Sequence, residues 1–283
     1  MENNNPTFNN KAALIFGAGR NIGSKIAHEF ARRGAHVAVA DIDLDGANET
    51  ARAIIDAGGQ ALGIHANVMD AASVRQAIDT AEAQLGPIDI VVNNAGLLHS
   101  GNPEDFPLQE WQRMMDCNFF GIVRSNEVIL PRMLERGSGH IVNTASFAGL
   151  YPYASSRIPY AASKAAIISL SQNLALYLEP KGIRVSCLCP GPTHSTASLA
   201  ANAFSDDVVN RGPGSDLSVM SQEAVATILA DGMADGRIII PTHEEGFQTI
   251  RDWATSPDDF IHAKINDFER GDSGLPGRKP VSV

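Results

Sequence analysis

Tyr160 and Lys164 stand four positions apart in "IPYAASKAAI". On a helix that spacing puts both side chains on one face, a turn apart. A phenol beside a fixed ammonium admits two readings. One is an ordinary surface pair. The other is an acid–base device: a free phenol, with a pKa near 10, is a poor proton acceptor at neutral pH. Bringing it into working range takes about 3–4 kcal/mol of preference for the phenolate. A neighbouring positive charge is the simplest source of that preference. Ser146 follows the apolar run "GHIVNTA", 14 positions before Tyr160. Its hydroxyl reads either as a preorganised donor to a reacting oxygen or as a partner for the strand end.

A second candidate lies near the start. "FGAGRNIG" sets Gly17, Gly19 and Gly23 around Arg20, Asn21 and Ile22, between a strand-like run and a helical pattern. Glycines there let the backbone turn sharply and approach a pyrophosphate, whose charge then sits at the helix N-terminus. Three glycines alone are a weak signal; their place between strand and helix strengthens it. Asp41 ends the next apolar run, 18 positions beyond Gly23. An acid about 20 residues past such a loop accepts bonds from the adenosine ribose. A helix cap or loop acid is the plainer alternative.

These residues need a scaffold, and the periodicity supplies one. "KAALIFG" (11–17), "AHVAVAD" (35–41), "QALGIHA" (60–66), "IDIVVNN" (88–94), "GHIVNTA" (139–145) and "GIRVSCL" (182–188) read as strands. Several are apolar at consecutive positions, which suits strands covered on both faces. Helical patterns alternate with them, the first carrying Ile22, Ile26, Ala27 and Phe30 and stopping at Gly34. Such alternation predicts an α/β fold with a doubly wound parallel sheet. One dinucleotide-binding and catalytic domain is expected over 11–270, with loose ends at 1–10 and 271–283. Within it, the aperiodic stretch 192–222 reads as a substrate lid or disorder, and 242–270 as a helical extension with Phe247, Ile250 and Trp253 at helical spacing.

Bulk properties exclude other classes. The 283 residues carry a formal net charge of −10, which argues against nucleic acid or an anionic membrane as the main partner. No apolar run approaches the roughly 20 residues needed to span a bilayer. The start "MENNNPTFNN" lacks the basic-then-apolar pattern of a secretion signal. Cys117, Cys187 and Cys189 give neither a disulfide framework nor metal spacing and read as small core residues, so a cytoplasmic location is expected. His65, His99 and His194 fall on separate segments, and no metal is expected.

Taken in order, the motifs resemble the short-chain dehydrogenase/reductase family. The resemblance covers residues 11 to about 195. It rests on the glycine loop 17–23, "NNAG" (93–96), Asn118 in "CNFFG", Ser146 in "VNTAS", Tyr160-x-x-x-Lys164 and "PG" (190–191). It implies a Rossmann-type sheet of seven parallel strands, the last being "GRIIIP" (236–241). It also implies hydride transfer between NAD(H) and a secondary alcohol or ketone. Tyr160 would be the general acid–base, helped by Lys164 and by the positive nicotinamide ring. Lys164 would also bond the nicotinamide ribose, and Asn118 would hold a water linking Lys164 to solvent. Asp41 would accept both ribose hydroxyls of NAD and repel the 2′-phosphate of NADP, whereas Arg20 is a residue type found in NADP-using members; the balance favours NAD. Ile42 flanks that acid. Asn67 stands where the family usually carries an adenine-binding Asp, and Val68 would line the ring. Asn94, Ala95 and Gly96 belong to the cofactor approach, with Asn93 structural. Pro190, Gly191, Thr193 and Ser195 (or Thr196) would grip the carboxamide.

Departures from the family pattern are equally plain. Asn21 replaces the second motif glycine and must accept left-handed geometry. Phe16 replaces the Thr common before the first. A long segment follows the seventh strand where most members stop. The implied partners are a small-molecule alcohol or ketone and further copies of the chain, as a homodimer through helices at 106–135 and 158–180 or as a homotetramer. Phe147, Leu150, Tyr151 and Tyr153 point to an apolar, cyclic or aromatic substrate. The competing readings are an NADP-dependent ketone reductase and a non-catalytic dinucleotide-binding sensor.

Overall fold

The computed structural model describes residues 8–194 and 203–276. Its strands are β1 (Ala12–Phe16), β2 (His36–Asp41), β3 (Gln60–His65), β4 (Ile90–Asn93), β5 (Gly139–Thr144), β6 (Ile183–Cys189) and β7 (Ile239–Pro241). They form one parallel sheet in the order β3-β2-β1-β4-β5-β6-β7. The apolar runs are read on both faces at a period of two: Ala13 and Ile15 enter one core, and Ala12, Leu14 and Phe16 the other. The first core is completed by α1 (Asn21–Arg32), α2 (Leu44–Asp56) and α7 (Gln222–Ala234). The second is completed by α3 (Ala71–Leu85), α5 (Gly121–Arg136) and α6 (Ile158–Leu178). The strand order reverses between β1 and β4, and the loops leaving their C-terminal ends part there to open a crevice.

Local chemistry sets the element ends. Asp43 caps α2 through Gly46 N–H, Asp70 caps α3 through Ala72 and Ser73, and Ser221 caps α7 through Ala224. The stretch 106–135 is not one helix. It divides into α4 (Leu108–Met115) and α5, joined by a π turn over Asp116–Phe120 that no local periodicity announces.

A third apolar cluster lies beyond β7. There α8 (Glu245–Thr255) and α9 (Pro257–Glu269) turn Ile250, Trp253 and Phe260 onto Phe147, Tyr151 and Leu217. Cys187 and Cys189 belong to this cluster as buried free thiols, their sulfurs 3.9 Å apart. Among the described residues no helix is long and apolar enough to cross a membrane, and no group of three or more His, Cys, Asp or Glu is arranged to hold a metal.

Candidate active site

The nucleotide end is shaped by close backbone approach. Gly17 has φ +71°, and a Cβ there would lie 2.6 Å from Ala95 Cα; one at Gly23 would overlap Gly17 O and Asn94 Nδ2. Asn94 Nδ2 donates to Gly17 O at 2.9 Å, tying the loop after β1 to the loop after β4. Asn21 sits at φ +53°, the left-handed geometry required of it once glycine is absent. Arg20 gives α1 no side-chain cap, and the first turn, which holds Ile22 and Gly23, carries no acid. The start of this helix therefore suits an anionic group, as the ends of α2 and α3, filled by their own Asp caps, do not.

Asp41 is buried, and its role is double. Oδ2 accepts from Gly19 N–H at 2.8 Å and Oδ1 from Asp43 N–H at 3.0 Å, so the carboxylate also moulds the loop. Each oxygen keeps a lone pair for a hydroxyl. Ile42 lies exposed beside it. Asn67 Oδ1 is engaged locally by Met69 N–H at 3.0 Å, and Val68 packs against Gly121 on the other side of the crevice. A pyrophosphate, an adenosine ribose and an adenine each find matching residues here, so the site fits a dinucleotide.

At the catalytic end the π turn aims Asn118 inward, where it is 1% exposed. Its Oδ1 accepts from Leu97 N–H at 2.7 Å, and its Nδ2 donates to Leu97 O at 3.0 Å and to Ser163 Oγ at 2.9 Å. Ser163 in turn donates to Tyr160 O at 2.7 Å. Lys164, 4% exposed, donates to Thr144 O at 2.8 Å, and its Nζ lies 5.5 Å from the centre of the Tyr160 ring. A methyl built on Gly96 would stand 3.3 Å from Asn118 Oδ1 and 3.5 Å from Lys164 Nζ, so the amide and the ammonium border one space. Ser146 caps a short 3-10 turn over Phe147–Gly149. Its Oγ accepts from Ala148 N–H at 3.2 Å, which leaves the hydroxyl proton to donate elsewhere. That turn lies directly on the backbone of Lys164 and Ala165.

The Pro190–Thr193 loop is fixed from below. Pro190 O accepts from Phe147 N–H, and Gly191 N–H donates to Thr242 Oγ1 at 2.9 Å. Thr242 meets His243 Nδ1 at 2.9 Å, and His243 Nε2 donates to Ser218 O at 2.8 Å. Thr193 donates to Gly191 O at 3.1 Å; Ser195 and Thr196 lie outside the described residues. Thr242 and His243 carry no sequence signal beyond their place after β7, and sequence reasoning missed them. Ser163 and Thr144 escaped it for the same reason: each acts through one hydrogen bond that no spacing encodes.

Of the aromatic candidates, Phe147 is fully buried under Gly246 and His243, and Tyr151 is buried against Phe260. Both support the wall rather than form it. Burial raises the phenols of Tyr151 and Tyr153 well above the ordinary range. His99 is buried against the Phe204 ring, 4.0 Å from Glu110; desolvation holds its pKa below the usual value, and the Arg113 charge adds to that while Glu110 opposes it. His65 and His194 are exposed.

The short chain dehydrogenase family matches residues 11–206. The 1-deoxy-11-beta-hydroxypentalenate dehydrogenase of Streptomyces exfoliatus is 34% identical over 245 residues, 86% of each chain. The chain belongs to the short-chain dehydrogenase/reductase family. It is accordingly an oxidoreductase. The cyclohexanol dehydrogenase of an Acinetobacter species is 36% identical over 185 residues, 65% of this chain and 73% of the relative. A short-chain dehydrogenase/reductase of Burkholderia phymatum, solved in complex with NAD, superposes with a TM-score of 0.76 at 26% identity over 98% of this chain and 99% of that one. In this short-chain dehydrogenase, β7, α8 and α9 lie beyond the span the family match covers.

Proposed function

We infer that this protein oxidises a secondary alcohol, or reduces the corresponding ketone, with NAD(H), using Tyr160 as general acid–base. The observation that carries this reading is the shared space at Gly96: Asn118 Oδ1 and Lys164 Nζ border it, and the Tyr160 ring lies 5.5 Å from the same ammonium. Bound NAD would supply the hydride acceptor, and NADH the donor. Tyr160, as the phenolate, takes the hydroxyl proton as the carbonyl forms and, as the phenol, returns it in reverse. Lys164 stabilises the negative charge left on the phenol oxygen, in a buried place where charge is weakly screened. Ser146 donates its free proton to the substrate oxygen. Asn118 and Ser163 hold the Tyr160 turn of α6 against the loop after β4.

NAD is favoured over NADP because Asp41 is a buried carboxylate whose surroundings would meet a 2′-phosphate with like charge. An apolar, cyclic substrate is supported by the relative named for cyclohexanol. Self-association is supported by the exposed Leu108, Phe120 and Val123 on the α4–α5 face. The decisive experiment is Tyr160→Phe. Turnover should fall by about 10³-fold or more, with NAD affinity within about threefold of the parent by calorimetry. Retained turnover would remove Tyr160 from the mechanism.

A further inference from the structure

We propose that the C-terminal segment Phe268–Leu275 is a working part of the substrate site, acting as a clamp that positions the wall over Ser146 and Tyr160. This rests on the reading above that the cleft takes an alcohol, but its geometry stands independently.

Between β6 and α7 the described residues 203–220 run from the loop after β4, at Ser100, to the loop after β6, at Pro192, without a helix of their own. A segment with so little internal hydrogen bonding holds its position only through what it touches. At its near end Phe204 N–H donates to Ser100 O, and Ser205 Oγ donates to Asp105. At its far end Met220 N–H donates to Pro192 O, and Ser218 O accepts from His243. Its middle is gripped from two sides. From the catalytic loop, Tyr151 Oη donates to Pro213 O at 3.2 Å and Arg157 Nη2 to Arg211 O at 2.8 Å. From the C-terminus, Gly212 N–H donates to Ser273 O at 2.8 Å and Gly214 N–H to Gly274 O at 2.9 Å.

The second grip has the marks of a fitted joint. A Cβ on Gly212 would overlap Gly274 O and lie 2.8 Å from Leu275 Cα. Gly274 bends at φ +58°, and its N–H is fixed by Asp272 Oδ1 at 2.7 Å. Arg211 closes the joint, with its guanidinium 4.2 Å from the Phe268 ring centre and Nη1 donating to Asp272 O at 3.2 Å. The tail thus holds residues 211–214 against the loop that carries Tyr151 and Arg157, which leads directly into Tyr160. Released from the tail, this wall loses one of its two lateral supports, and the alcohol loses contacts that the cofactor does not share.

The test uses the full-length protein with Gly212→Val, which forces the joint open, and Arg211→Met, which removes its side-chain half. Val209→Ser, an exposed change in the same segment, is the control. Gly212→Val is expected to raise KM for the alcohol about tenfold with kcat within about threefold, while NAD still raises the melting temperature as in the parent. Asp-N protease cleavage between residues 203 and 210, mapped by mass spectrometry, should quicken about tenfold; Arg211→Met should shift both readouts less, and Val209→Ser neither. Parental KM and parental cleavage in Gly212→Val overturn the clamp. Should that variant fail to fold, the same null result in Arg211→Met overturns it. If the parent turns over no alcohol, the functional reading falls, and the cleavage rates alone decide the clamp.

Discussion

The two ends of the crevice are built on different principles. At the nucleotide end the parts are close-packed backbone: Gly17 against Ala95, Gly23 against Gly17 O, and Gly19 N–H on Asp41, 22 residues along. At the substrate end the wall is assembled from chain far apart. Ser205 reaches Asp105 over 100 positions, Arg157 reaches Arg211 over 54, and the tail returns to Gly212. A site made of abutting backbone tolerates almost no change of shape, whereas one made of laterally strapped segments can be retuned by changing a strap. Within one fold, the close-packed end is the fixed part and the strapped end the adjustable one.

Two glycine substitutions test this contrast most sharply. Gly23→Ala places a methyl into Gly17 O and Asn94 Nδ2, and the backbone carbonyl cannot retreat without reshaping the loop after β1. NAD affinity should fall about hundredfold by calorimetry, with a lower melting temperature. Gly149→Ala instead drives a methyl to 2.6 Å from Lys164 C and Ala165 N. There kcat should fall about hundredfold while NAD affinity stays within about threefold. If both variants lose cofactor and turnover alike, the two ends are one mechanical unit and the contrast fails.

Acid should act near the start of β5, at the end of the sheet opposite the crevice. His140 on β5 is 3% exposed, and burial pulls its pKa down to about 3, helped by the Arg184 charge. Ser186 donates its proton to Arg237 O, so its oxygen accepts from His140 Nε2, and Nδ1 has no partner. A proton added to Nδ1 would be a buried charge with no acceptor. Below the unfolded value of 6.5 the unfolded chain binds a proton that the folded chain refuses until about pH 3. Stability should therefore decline as pH falls through that window, His140 contributing about 1.4 kcal/mol per pH unit. Urea titrations should show His140→Asn removing that share of the slope. The smallest effect concerns cofactor choice. Asp41→Ser should lower the preference for NAD over NADP in kcat/KM by about tenfold, because the like charge goes while a loop-shaping acceptor remains.

The difference between the two ends also explains what the sequence could reveal. The strands, their parallel arrangement and the glycine loop were readable because continuous apolar runs alternating with helical patterns, and turn chemistry, are local. Even Asn21 was interpretable, since few other residues accept φ +53°. Tyr160, Lys164, Ser146 and Asn118 were proposed by motif, and the structure brings Asn118 and Lys164 to one space while linking Tyr160 to Asn118 through Ser163. Thr242, His243 and the pairing of Gly212 with Ser273 were invisible, because each depends on where a distant segment returns. Residues 271–276 read as a loose end for the same reason: nothing in "GDSGLP" announces its partner. Phe147 and Tyr151 were misread as pocket lining because an aromatic side chain in a loop gives no sign of which way it faces.

The π turn over Asp116–Phe120 has a consequence for how such a site can change. A wide turn holds one residue more than an α-helical path between the same two ends, so the chain here behaves as if an amino acid had been slipped into a finished helix. Taking that residue out again would let α4 and α5 fuse with better backbone geometry and leave both helices in place, so that the shift falls on the residues inside the turn. Asn118 would swing off Leu97 and Ser163. At this spot the more comfortable helix and the one that holds Asn118 on Leu97 and Ser163 are alternatives, and the sequence has settled on the less comfortable of the two.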